Sequence, residues 1–128
     1  MPTLAAKQPY TRADIMHLVG GEPQTYLPQR DHIILAGCFT VNDVNPGAPL
    51  VIQVGNPSSV VRKAELLRSQ PETSFPVFLK QTKSDKHYYF VGYYKYEDLK
   101  ADAVLITNEE QISGKHGELA AVLYLKPA

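Results

Sequence analysis

The sequence predicts an α+β fold: a curled, mostly antiparallel sheet or open β-barrel that carries two short helices. Three observations lead there. The run His87-Tyr88-Tyr89-Phe90-Val91-Gly92-Tyr93-Tyr94-Lys95-Tyr96 holds six of the chain's twelve aromatic residues, which are eight tyrosines and four phenylalanines. Such density favours extended backbone. Short apolar runs are separated by Gly, Pro, Asn and Ser turns at irregular spacing, without regular βαβ alternation. Only two segments show apolar residues at helical spacing.

Taken in order, residues 1–9 read as a loose tail with Pro2 and Pro9. Thr11 can cap a helix, with Asp14 placed where its carboxylate suits the N-terminal turn. Ile15, Leu18 and Val19 form the apolar face of this helix, Gly20-Gly21 ends it, and it should pack as a lid or plug. A strand is expected over Asp31 to Phe39, centred on Ile33-Ile34-Leu35-Ala36. Asn42 to Pro49 is turn chemistry, strongest at Asn45-Pro46-Gly47. Leu50 to Val54 is the next strand. Ser58 or Ser59 then caps a helix over Val60 to Gln70, with Val60, Val61, Ala64 and Leu67 as its buried stripe.

Val77 to Lys80 and the tyrosine run read as a hairpin closed by the polar turn Lys83-Ser84-Asp85-Lys86. Strict alternation would put Tyr88, Phe90, Gly92, Tyr94 and Tyr96 on one face, and His87, Tyr89, Val91, Tyr93 and Lys95 on the other. Neither face is plainly polar: one can be core and the other is a candidate surface for stacking a planar ligand, so the strand is expected to be central in the sheet with one face buried. Asp98 to Asp102 is a short connection, Val104-Leu105-Ile106 a further strand, Ser113 to Gly117 a turn and Leu119 to Leu125 the last strand.

The 128 residues suit one domain with a single core. Thirteen basic residues balance thirteen acidic ones, so no global charge draws the chain to nucleic acid or membrane; a nucleic-acid reader must gather its basic residues locally. The single cysteine, Cys38, excludes an internal disulfide and suits a reducing, intracellular compartment. No run approaches the ~18 apolar residues of a membrane span, and no secretory signal is seen.

Catalytic and metal motifs are not found. His17, His32, His87 and His116 are scattered, without the close spacing of a metal pair. Cys38 stands at a strand end, where a nucleophile could sit, but a lone Cys is commonly a small buried residue. Neither a nucleophile elbow nor a Walker or dinucleotide fingerprint is present. This favours binding over catalysis, with no cofactor and no metal.

Two features suit binding. Gly55-Asn56-Pro57-Ser58-Ser59 precedes the second helix, where free N–H groups can meet a phosphate, and Arg62 and Lys63 stand in the first turn. Lys83 and Lys86 on the hairpin turn, with Lys80 and Lys95 nearby, interleave basic and aromatic chemistry. Ser58, Ser59, Arg62, Lys63, Lys83 and Lys86 are therefore the candidate phosphate ligands. Tyr26, Arg30 and Phe39 flank the first long strand, where a barrel mouth would open. With Tyr94 and Tyr96 they are the candidate base-binding set, Tyr stacking well against flat rings.

The order helix, strand, strand, helix, aromatic hairpin and late strands resembles the PUA-like group, which includes the SRA, YTH, EVE and ASCH modules. Pro76-Val77-Phe78-Leu79-Lys80 and His87 to Lys95 also look like segments of DNA-reading modules attached to HNH-type, modification-dependent restriction endonucleases. The resemblance implies a module that holds a modified base in an aromatic pocket, more often on DNA than RNA, with a nuclease domain fused or associated. This chain departs from that company in carrying no HNH motif and no clear SRA signature. The expected function is nucleic-acid binding through a modified or flipped base. The alternatives are a protein-interaction module using an exposed aromatic strand, and a small nucleotide-processing enzyme with His87 or His116 as base.

Overall fold

The computed structural model describes Leu4 and residues 8–128. The loose-tail expectation falls mostly on residues 1–3 and 5–7, which lie outside the described residues. Pro9 departs from it: β1 (Pro9–Tyr10) pairs with the tyrosine strand at Tyr89 and Tyr88. Helix α1 (Arg12–Val19) opens with the expected capping box. Asp14 N donates to Thr11 Oγ1 at 3.1 Å, and Thr11 N donates to Asp14 Oδ2 at 2.9 Å.

The expected strand 31–39 is split. β2 (Gln29–Arg30) and β3 (Ile33–Ile34) form a tight hairpin whose turn residues Asp31 and His32 both take positive φ. The main sheet is entered only by β4 (Gly37–Thr40). Ile33 is consequently 48% exposed, although Ile34 is buried. β5 (Val51–Gly55) leads into α2 (Ser58–Arg68). Pro57 takes the N-cap position without a side-chain hydrogen bond, so Ser58 and Ser59 are first-turn residues and neither caps the helix. Ala64 and Leu67 are fully buried, with Val60, Val61 and Leu66 packed beside them, as the apolar stripe predicts.

β6 (Phe75–Lys80) and β7 (Tyr88–Lys100) form the aromatic hairpin. β7 continues to Lys100, into the stretch from Asp98 to Asp102 expected to be a connection. The segment Val104-Leu105-Ile106 is helical, not a strand, and belongs to α3 (Ala103–Ser113). Asp102 Oδ2 accepts from Leu105 N at 3.2 Å, and Gly114 closes the helix at φ 74°. A matched cap at each end outweighs the β propensity of three apolar residues. β8 (Leu119–Pro127) is the last strand.

The main sheet is mixed and open, in the order β4-β6-β7-β8-β5, with β1 beside the first half of β7. Its one parallel pair along that path is β4 with β6; the others are antiparallel. β7 is central, as the tyrosine run predicts. Among the described residues the architecture is thus α+β with three helices rather than two, and the sheet does not close into a barrel.

Alternation along β7 fails at one point that matters. The register with β6 slips between Val77 and Phe78: Val77 pairs with Gly92, whereas Phe78 pairs with Phe90. The extra residue turns the two halves of β7 relative to each other. Gly92 sits at φ 130°, a backbone position that favours glycine. Tyr88 and Phe90 therefore join Tyr10, Ile15, Cys38 and Phe78 in a small core under α1. Tyr94 and Tyr96 turn instead to the larger core under α2, with Phe39, Phe75, Val77 and Leu123.

Candidate nucleic-acid interface

A cavity of about 640 Å³ lies between α1 and the sheet's end. Arg12, Tyr26, Cys38, Thr40, Asn45 and Tyr88 supply its chemistry. Among the described residues Arg12 is the only charged one lining it, and no carboxylate does.

Separate pieces of the fold bring these side chains together, with Cys38 and Thr40 both from β4. Arg12 opens α1, and its guanidinium clamps the following loop: Nε donates to Pro23 O and Nη2 to Glu22 O, both at 2.9 Å. The loop's far end is fixed to the edge of β4, where Cys38 N donates to Tyr26 O at 2.9 Å. The Tyr26 hydroxyl donates to Val60 O of α2 at 2.7 Å. Burial raises the Tyr26 phenol's pKa, so this donor stays protonated. Tyr88 comes from the first position of β7, and the Lys80 ammonium stands 5.2 Å from its ring centroid. Burial raises the Tyr88 phenol as well.

Cys38 is buried in β4, and burial pushes its thiol up to about 11 despite the neighbouring Arg12. A thiol held neutral is a poor nucleophile. The cavity floor is therefore neutral and polarisable, under one permanent positive charge. Among the described residues no group of His, Cys, Asp or Glu could hold a metal ion.

The expected base-binding set is not gathered here. Only Tyr26 lines the cavity. Phe39 is 1% exposed and points into the α2 core, 6.5 Å from the Tyr26 ring centroid, so it is a packing residue and not a pocket wall. Tyr94 and Tyr96 pack on that same core. Arg30 is exposed on β2, its guanidinium lying against Gly20.

The expected phosphate ligands also divide. Lys83 and Lys86 are exposed on the β6–β7 turn. Ser59, Arg62 and Lys63 line a second cavity of about 530 Å³ with Gln29 and His32, while Ser58 is exposed beside it. Lys63 is already engaged, its ammonium 2.6 Å from Glu22 and 3.1 Å from Leu27 O. That pairing removes it as a free phosphate ligand. Sequence reasoning missed Arg12 and Tyr88 as site residues. Arg12 is inconspicuous beside the capping Thr11, and Tyr88 is one aromatic among six.

The Glu22–Lys63 pair gives a pH signature. Burial alone would raise the Glu22 carboxyl. The Lys63 hydrogen bond and the Gln29 N–H together outweigh it, leaving the pKa below the usual 4.5. A lowered carboxylate stabilises the fold above its unfolded value and loses that contribution as pH falls through its folded value. Glu22→Gln should therefore melt below wild type at neutral pH, and the difference should shrink as pH falls under 4.5. A pH series of thermal melts checks this; a gap that stays constant into acid would show that the pair adds nothing.

No helix among the described residues is long and apolar enough to cross a membrane. Comparisons of the chain with known protein families, with curated proteins and with solved structures find no match.

Proposed function

We propose that the chain is a nucleic-acid-binding module that holds an unstacked, modified or flipped base in the cavity between α1 and the sheet's end. One observation carries this. A cavity of about 640 Å³, lined among the described residues by two tyrosines, one arginine and no carboxylate, lies beside a turn that bears lysines. Its volume is within the ~300–1,000 Å³ of small-ligand sites. Tyr26 and Tyr88 offer flat apolar surface, Arg12, Thr40 and Asn45 offer groups for a base edge, and Lys80, Lys83 and Lys86 offer cations for the flanking phosphates. An open sheet with this aromatic hairpin is also what a PUA-like reader would use, and DNA is the first polymer to test. An associated nuclease domain belongs to the same proposal, since the cavity's residues suit recognition.

The experiment is binding to duplexes and single strands, with and without base modification, across salt. Lys83→Glu with Lys86→Glu should weaken all sequences alike and flatten the salt dependence by about 0.7–0.9 log units for each phosphate no longer neutralised. Melting should be unchanged, because both side chains are exposed. Unchanged affinity and slope would remove the turn from the interface.

A protein-interaction reading has its own observation: Tyr89 and Val91 are 45% and 41% exposed beside each other on β7. Tyr89 is paired on both sides, with β1 and with β6, so there a partner would have to dock on this face and not add a strand. A concentration-dependent mass by light scattering, abolished in Tyr89→Ser, would favour it.

A further inference from the structure

Asn45, in the loop between β4 and β5, lines the cavity under α1 and is only 5% exposed. Arg12, Gln24, Thr25 and Thr40 line the same cavity and are less buried. The backbone groups and Oδ1 of Asn45 are already engaged. Asn45 N donates to Thr40 O at 2.9 Å, Ala48 N donates to Asn45 O at 3.0 Å, and Gln53 N donates to Asn45 Oδ1 at 2.7 Å. A backbone N–H only donates, so the last bond fixes which end of the carboxamide is oxygen. Gln53 is itself held. It pairs with Val122 of β8, its Oε1 accepts from Lys115 Nζ at 3.0 Å, and its Nε2 donates to Glu109 O at 3.1 Å. The Asn45 NH2 group meets no acceptor among the described residues. No fully buried side-chain nitrogen or oxygen of those residues lacks a partner, so this NH2 reaches accessible space, and the space that Asn45 lines is the cavity.

We propose that Asn45 sets the cavity's specificity: its fixed NH2 donor selects a base with an oxo group at the end away from the sugar, and rejects the amino counterpart. That the ligand is a base rests on the nucleic-acid reading above. A pyrimidine joined to its sugar at N1 has C4 at the opposite end of the ring. Entering with its sugar at the mouth, it carries the C4 substituent deepest, to the buried Asn45. An oxo group there accepts from the NH2. An amino group there sets donor against donor, and both lose a partner in a site shielded from water. Arg12 has donors and no acceptor, so it does not compensate. Nor do the nearby carboxylates. Asp43 is exposed and outside the cavity lining, and Glu109 lies behind Gln53, its Oε1 3.4 Å from Gln53 Nε2.

The probes are free uracil and cytosine, and two single-stranded oligonucleotides that differ only in carrying uracil or cytosine at one position. In the wild-type protein, uracil should move the NMR signals of the Asn45 side-chain NH2, and cytosine should leave them in place. Wild type should prefer the uracil strand by about tenfold. Asn45→Asp keeps an oxygen for Gln53 N and turns the donor into an acceptor. It should reverse the preference, because a carboxylate accepts from the cytosine amino group. Asn42→Asp adds the same charge to the same loop but is exposed and outside the cavity lining, so it should weaken both strands alike and keep the ratio. Equal affinity for the two strands in wild type, or an unchanged preference in Asn45→Asp, would overturn the assignment and leave the nucleic-acid reading standing; Asn45 would then only hold the loop. Asn45 signals unmoved by free uracil and by the uracil strand would overturn it whether or not Asn45→Asp folds. Uracil-dependent shifts at Asn45 with neither strand bound would keep the assignment and discard the nucleic-acid reading.

Discussion

Phe39→Ala is expected to cost about 3–5 kcal/mol of folding stability, the range for deleting a buried aromatic ring. The ring is 1% exposed and sits among Leu27, Phe75 and Val77 under α2. It also lies on Gly37, where an added Cβ would come within 2.8 Å of Phe39 Cζ. Strand and ring are therefore fitted to each other, and the surroundings cannot easily collapse into the gap. For a domain of this size the change should lower the melting temperature by more than about 10 °C. Urea and thermal melts check it. A cost under about 1 kcal/mol, together with changed ligand preference, would make Phe39 a ligand contact instead of core.

Arg12→Met is expected to have the largest effect on binding, at least tenfold, or about 1.4 kcal/mol. The methionine keeps most of the apolar stem but removes the one charge found among the cavity's described lining residues. It also frees the Glu22 and Pro23 carbonyls, so the loop carrying Tyr26 loses its clamp. Hydrogen bonds to a charged group contribute about 1.5–3 kcal/mol, so a moderate fall in stability should accompany the loss of affinity. Arg12→Lys restores the charge but not the two-pronged geometry, and should rescue binding only in part. Equal affinity in wild type and Arg12→Met would place the ligand elsewhere.

What the sequence made legible was local chemistry. Thr11 and Asp14 announce their capping box, Gly20 ends α1, and the stripe Val60, Val61, Ala64, Leu67 marks α2. The density of the tyrosine run was enough to place β7 at the centre of the sheet. The misreadings came from competition between local signals or from distant partners. Val104-Leu105-Ile106 has strand composition, but Asp102 and Gly114 bracket it as a helix. Period-two alternation assumes no extra residue, and the slip near Gly92 sends Tyr88 and Tyr94 to opposite cores. Ser58 and Ser59 have the chemistry of caps but fall too late in the turn, behind Pro57. The site was least legible. Arg12 acquires its role from carbonyls ten and eleven residues away, and Lys63 loses its expected role to Glu22, 41 residues away.

The most direct test of the proposed site is to fill the cavity without touching the core. Ala13 lines the cavity from the exposed side of α1, so Ala13→Trp adds an indole to the site while the α1 core contact through Ile15 is untouched. The measurement is the affinity of this variant for an oligonucleotide carrying an unpaired 2-aminopurine, read by quenching of the base's fluorescence. Wild type should quench on binding, since an extruded base would stack on tyrosine. Ala13→Trp should melt as wild type, bind at least tenfold more weakly and leave the base unquenched in any residual complex that the lysines hold. Wild-type affinity in Ala13→Trp would contradict a base held in this cavity.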